Sequence, residues 1–189
     1  MEADPSSKTK VSLRVLIVLG AVALFVYLLD QITKLLIVAS MYEGQQIDVL
    51  GPLLRFHFVK NSGAAFSIGT GSTWIFSIIG IGVLGFVIWY APRIRSLAWA
   101  VLFGLLLGGL LGNLTDRLFR EPGFGVGKVI DFIQIPVLPA IFNLADSAIV
   151  ASMGLLLILM FRGIPMDGIR QSRHRDEESN DGEAGQATR

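Results

Sequence analysis

The sequence predicts an α-helical integral membrane protein, with four transmembrane helices and a small extracytoplasmic β-sheet. Three observations carry that prediction. Of 189 residues, 52% are hydrophobic and only 16% charged, whereas a soluble domain carries about 25% charged residues. Apolar runs at Leu13–Leu29, Trp74–Tyr90, Leu97–Leu111 (continuing to Asn113) and Ile141–Phe161 match the roughly 17–25 residues that cross a bilayer. Two segments between those runs instead follow strand patterns.

The first run follows Lys8, Lys10 and Arg14 and can extend through "DQITKLLIVA" to Ala39, which makes it long and tilted. Its basic start resembles a secretory n-region. The nearby A-x-A, Ala21 to Ala23, lies inside the apolar run and is followed by "LFVYLL", so an uncleaved span is expected. In "LRFHFVK", residues 54–60, apolar and polar side chains alternate, as on a half-buried strand. "GKVIDFIQI", residues 127–135, is rich in β-branched and aromatic residues between Gly127 and Pro136, and also predicts a strand. Trp74, Trp89, Tyr90 and Trp99 fall near span ends, where amphipathic rings anchor at the interface. Gly104, Gly108 and Gly112 in the third span, and Ala145, Ala148, Ala151 and Ser152 in the fourth, allow close helix approach. The domain reading is a cytoplasmic segment 1–11, a membrane domain 12–162 and a polar, disordered cytoplasmic tail 163–189.

Orientation follows from Lys and Arg. An inside N-terminus puts Lys8, Lys10, Arg14, Arg93, Arg95, Arg162, Arg170, Arg173 and Arg175 in the cytoplasm, clustered against span ends. Lys34, Arg55, Lys60, Arg117, Arg120 and Lys128 then lie outside, spread over two longer connections. Both termini are expected inside.

On this topology Asp30, Asp116, Asp131 and Asp146, from separate segments, gather at one outer membrane level. An ionised side chain at mid-bilayer costs about 2.5–3.5 kcal/mol on insertion scales, so each needs a reason. Asp30 and Lys34 are i,i+4 with the acid N-terminal, the favourable order for an ion pair. Asp116 beside Arg117 suggests a local charge network. Asp131 and Asp146 lack such a neighbour: Lys128, three residues from Asp131, points to the opposite face of an extended strand. Two carboxylates in a low-dielectric site share one proton, so that one activates a water while the other donates to a carbonyl oxygen. That chemistry requires no cofactor. Cys is absent, and His57 and His174 lie far apart, which leaves no Cys or His framework for a metal. A net charge of +1 gives no support for nucleic-acid binding.

"DQITK" (30–34), "VKNSGAAFSIG" (59–69), "GNLTDRL" (112–118), "VIDFI" (129–133) and "FNLADSAI" (142–149) resemble, in order and spacing, the signature segments of the lipoprotein signal peptidase family, also called signal peptidase II. The resemblance spans roughly residues 12–162. It implies a monomeric aspartic endopeptidase of the bacterial cytoplasmic (inner) membrane. Its substrates would be lipid-modified prolipoproteins, cut before the diacylglyceryl-bearing Cys, with membrane lipids as surroundings. Carried over by position, Asp131 and Asp146 are the catalytic pair. Asn61, Asn113, Arg117 and Asn143 hold the substrate backbone and the pair, and Asp30, Lys34 and Asp116 support them. Small residues at Gly63, Ala64 and Ala65 would leave room for a chain to pass near the backbone, or equally mark a tight turn. Two rivals are a proton- or ion-coupled carrier and a structural membrane subunit. The carrier predicts acids spread across bilayer depth, whereas the inner halves of the four runs hold none. The subunit has no need for an acid within "VIDFI".

Overall fold

The computed structural model describes residues 12–63, 73–138 and 140–166. Helices α1 (Leu13–Ser40), α2 (Thr73–Tyr90), α3 (Leu97–Phe119) and α4 (Leu144–Phe161) are each long and apolar enough to span a membrane. Strands β1 (Gln46–Asp48), β2 (Arg55–Asn61), β3 (Val129–Gln134) and β4 (Ile141–Phe142) form one antiparallel sheet in the order β1-β2-β3-β4. Two of the strands were expected. The run beginning at Ile141 is not one helix: its first two residues pair with β3, and α4 starts at Leu144.

α1 has 28 residues, about 42 Å at 1.5 Å per residue and longer than the roughly 30 Å hydrocarbon layer. Val15, Leu19, Ala23, Val26, Asp30, Lys34 and Ile37 are its buried residues, spaced three or four apart as one stripe of a helix. Its remaining faces expose Leu24 and Phe25, and α2 exposes Ile78, Ile79 and Phe86. Lipid is the solvent for those faces, so apolar residues are favoured there too. Burial of Asp30 and Lys34 then marks which side faces protein.

α3 is the central helix, packing most extensively on α1 and next on α4. Glycine makes this approach feasible. A Cβ on Gly104 would lie 2.7 Å from Val22 Cβ, and one on Gly108 would lie 2.6 Å from the Ala23 carbonyl oxygen, both on α1. On the next face, a Cβ on Gly109 would lie 2.5 Å from the Ala145 carbonyl oxygen of α4. α3 also runs on past Asn113 to Phe119, because Asp116 and Arg117 find buried partners instead of ending the helix.

At one end of the bundle, Val15, Leu19, Ile94, Trp99, Leu102 and Leu159 form a core. Trp99 Nε1 donates to the Ile164 carbonyl at 2.9 Å, and Arg95 N–H donates to the Met166 carbonyl at 2.9 Å. Packed chain therefore continues four residues past position 162, while 167–189 lie outside the described residues. At the other end, Phe56, Phe58, Ile130 and Phe132 seat one face of the sheet on Ile37, Met41 and Leu144. Strand alternation turns Asp131 to the opposite face. There Val59 pairs with Asp131 and Asn61 with Val129, beyond a register shift between Phe56 and Val59.

Candidate active site

Asp131 on β3 and Asp146 on α4 line one cavity of about 280 Å³, together with Asn61, Gly63, Asn113, Arg117, Ile149 and Val150. Sheet alternation presents the first acid. A helix start presents the second: Asn143 is the N-cap of α4, its Oδ1 accepts from Asp146 N–H at 2.9 Å, and Asp146 Oδ2 accepts from Asn143 N–H at 3.2 Å. This reciprocal box satisfies two backbone donors that a helix start would otherwise leave unpaired. Asp146 thus sits in the first turn of α4, not some way into a span that begins at Ile141.

Every oxygen of the pair has a protein donor. Asp131 Oδ1 accepts from Asn143 Nδ2 at 2.7 Å, and Oδ2 from Asn61 Nδ2 at 2.9 Å. Asp146 Oδ1 accepts from Asn113 Nδ2 at 2.7 Å. Which end of each amide faces the acid follows from groups that can only donate. Gly63 N–H donates to Asn61 Oδ1 at 2.9 Å, Asp146 N–H to Asn143 Oδ1, and Lys34 Nζ to Asn113 Oδ1 at 3.1 Å. The opposite, NH₂ end of each amide is therefore left for a carboxylate. Asn143 also donates to Asn113 Oδ1 at 3.1 Å, linking the two acids' hydrogen-bond shells.

Burial pushes the Asp131 carboxyl up to about 7, and the nearby Asp146 charge adds to the rise; hydrogen bonds from Asn61 and Asn143 and the charge of Lys34 oppose it. A carboxyl with that value holds a proton at neutral pH that it can also give up, as acid–base work requires. Arg117 Nη2 donates to the Gly63 carbonyl at 2.9 Å, and its guanidinium lies 5.2 Å from the Phe76 ring centroid. Its Nη1 is buried with no partner among the described residues, a donor free for a ligand carbonyl in the cavity. Among the described residues no three His, Asp or Glu side chains converge as metal ligands would.

Next to the pair lies a charge cluster whose centre, Asp30, Lys34 and Asp116, is fully buried. Lys34 Nζ is 2.8 Å from Asp30 Oδ2 and 2.8 Å from Asp116 Oδ2, while Arg120 Nε is 2.6 Å from Asp116 Oδ1. The expected Asp30–Lys34 pair is present. The charge network expected at Asp116 is present with other direct partners: successive helical residues point apart, so Asp116 pairs with Lys34 and Arg120, while Arg117 turns to the cavity and interacts with Asp116 only through space. Asp30 Oδ1 also accepts from Ala145 N–H at 3.0 Å, and Asp116 Oδ2 from Ile130 N–H at 3.2 Å. The cluster therefore fixes α1, α3, the start of α4 and β3 to one another. Gln31 and Arg120 belong to it and were missed by the sequence reading; the Gln31 side chain donates to Asp30 and to the Gly112 carbonyl, both at 3.1 Å. Arg120 was detectable as the i+4 partner of Asp116. Gly63 is at the cavity, and its neighbours Ala64 and Ala65 lie outside the described residues.

A family model described as "Signal peptidase (SPase) II" matches residues 22–162. A protein of Leifsonia xyli subsp. xyli named "Lipoprotein signal peptidase" is 73% identical over 177 residues, covering 94% of this chain and 80% of that one. One of the same name from Streptomyces coelicolor is 51% identical over 151 residues, covering 80% and 74%. Two solved structures, described as a bacterial membrane enzyme at 2.3 and 1.9 Å resolution, share 30% identity with this chain at TM-scores of 0.70 and 0.69. Each covers 81% of this chain, with 91% and 96% of their own.

Proposed function

The chain belongs to the signal peptidase II family, and from that premise we propose that it is an aspartic endopeptidase with Asp131 and Asp146 as its catalytic pair. It removes signal peptides from prolipoproteins. The observation that carries the aspartic reading is the convergence of these two acids, from a strand and a helix start, on one cavity where every carboxylate oxygen meets an N–H donor.

In the reaction, the ionised member takes a proton from a water whose oxygen attacks the scissile carbonyl. The protonated member donates to that carbonyl's oxygen, giving a tetrahedral diol. Collapse breaks the C–N bond, and the proton gained by the first acid passes to the departing amine while the second recovers its own. Asn61, Asn113 and Asn143 hold the two acids. The free Nη1 of Arg117 supports a role in gripping a substrate backbone carbonyl. The cut falls before a Cys bearing a diacylglyceryl group. Acyl chains hold the substrate in the bilayer, each buried methylene contributing about 0.8 kcal/mol, which brings the scissile bond to the membrane edge.

The reading extends to a monomer in the bacterial cytoplasmic membrane, with lipid around its spans, both termini inside and the sheet with its cavity outside. A polar tail after Met166 stays in the cytoplasm. The carrier alternative gains no support: no Asp or Glu among the described residues lies in the half of any span away from the sheet. The test is incubation of purified protein with a lipid-modified prolipoprotein and location of the cut by mass spectrometry. Asp131→Asn and Asp146→Asn each abolish cleavage, and the double variant is no worse than either single one, since residues acting as a unit are non-additive. Near-normal turnover in either single variant would sink the assignment.

A further inference from the structure

The pair is not symmetric, and the asymmetry comes from a residue that touches neither acid. We propose that Lys34 is a positioning residue of the reaction: by holding Asn113 with its amide nitrogen toward Asp146, it makes Asp146 the ionised member of the pair and leaves the shared proton on Asp131. This rests on the peptidase reading.

Lys34 is fully buried, and an ammonium has three donors and no acceptor. Its contact with Asn113 at 3.1 Å therefore demands the amide oxygen. Turning that amide over would set NH₂ against ammonium and oxygen against carboxylate, two repulsive contacts in a dry site. The ion pairs of Lys34 with Asp30 and Asp116 explain its burial but do not require this third contact. Through it, the positive charge polarises the amide and strengthens the N–H donated to Asp146 at 2.7 Å. Asp146 also lies in the first turn of α4, where the helix end favours negative charge.

Asp131 has neither advantage. It sits on a strand, and the amides that serve it, Asn61 and Asn143, are oriented by neutral backbone N–H groups. Among the described residues, the other charges near the pair or its supporting cluster are Asp30 from α1 and Asp116, Arg117 and Arg120 from α3; α2 contributes none.

The test compares Asp30→Asn with the double variant Asp30→Asn/Lys34→Met in the full-length protein reconstituted in bilayers. Both remove the α1 ion pair, and Asp116 keeps Arg120 in both, so they differ in the Lys34 ammonium, with its contact to Asn113 and its ion pair with Asp116. The readout is the pH dependence of kcat/KM on a lipid-modified prolipoprotein. The acidic limb, where the pair loses its first proton, moves up by about one pH unit in the double variant relative to Asp30→Asn. Coincident limbs in two folded variants would make Lys34 structural glue and overturn the proposal. Should the double variant not fold, Asn113→Asp decides. It keeps an oxygen for Lys34 but aims a second oxygen at Asp146, and turnover falls about 100-fold in a protein that remains folded. Unaltered turnover would overturn the proposal. An inactive wild-type protein would instead sink the peptidase reading.

Discussion

Asn143 performs two jobs that substitution can separate. It is fully buried; its Oδ1 caps α4 through Asp146 N–H, while its Nδ2 serves Asp131 Oδ1 at 2.7 Å. Serine caps a helix about as well as asparagine, whereas alanine costs about 1 kcal/mol. Asn143→Ser therefore keeps the cap and loses the donor to Asp131; Asn143→Ala loses both. A hydrogen bond to a charged group contributes about 1.5–3 kcal/mol. Where that bond holds a catalytic acid in place, its loss lowers kcat by about 10- to 150-fold, at tenfold per 1.36 kcal/mol. Both variants should show that loss, and the alanine variant should in addition be about 1 kcal/mol less stable than the serine variant. Initial cleavage rates and thermal unfolding followed by tryptophan fluorescence measure the two effects. A serine variant with wild-type turnover would show that Asn143 only caps α4 and that its bond to Asp131 is idle.

Gly109→Ala, whose Cβ would meet the Ala145 carbonyl oxygen at 2.5 Å and Ile149 Cγ1 at 2.8 Å, should destabilise the bundle by about 1–3 kcal/mol. Gly80→Ala, with its nearest neighbour at 3.7 Å, serves as the near-neutral control in the same melting experiment. With the Asp131 carboxyl raised from 3.8 to about 7, the folded chain holds a proton across that window which the unfolded chain has lost. The stabilisation is fully present below about pH 4 and lost as pH rises through 7. Turnover, which needs that proton, should fall about tenfold per unit above the same point; a pH–rate profile flat to pH 9 contradicts this. Since the chain has no Cys, Leu53→Cys, on the exposed turn between β1 and β2, should react with an impermeant reagent in intact cells. Pro92→Cys should not.

The spans were legible because lipid-facing residues had to be apolar, and β2 and β3 because each has one face on the core. What stayed hidden lacked a pattern. β1 has three exposed residues, and β4 has two that merge into the apolar run before α4. A signal for that boundary was present: Asn143 followed three residues later by Asp146 is a helix-start pattern. The acids could be gathered at one level from topology, and the Asp30–Lys34 pair from its spacing. The contacts of Lys34 with Asp116 and Asn113, 82 and 79 positions away, follow from the docking of α1 on α3, which spacing along one helix does not encode. Gly109 was passed over because the four-residue glycine spacing selects the α1-facing row, whereas the α4-facing surface lies one residue on.

The double duty of Asp146 has a consequence for how the molecule comes into being. As a newly made chain enters the membrane, its spans can insert one by one, each a viable helix in lipid without the others. An endopeptidase competent at that moment would endanger neighbouring chains and its own loops. Here the acid on the last helix belongs to that helix's cap, its amide donor comes from the third helix, and the opposing acid lies on a sheet packed against the first. If these two acids are the catalytic pair proposed above, a form lacking any one of these elements lacks part of the cutting machinery. A membrane protease built this way needs no removable inhibitory segment to remain silent during its own biogenesis.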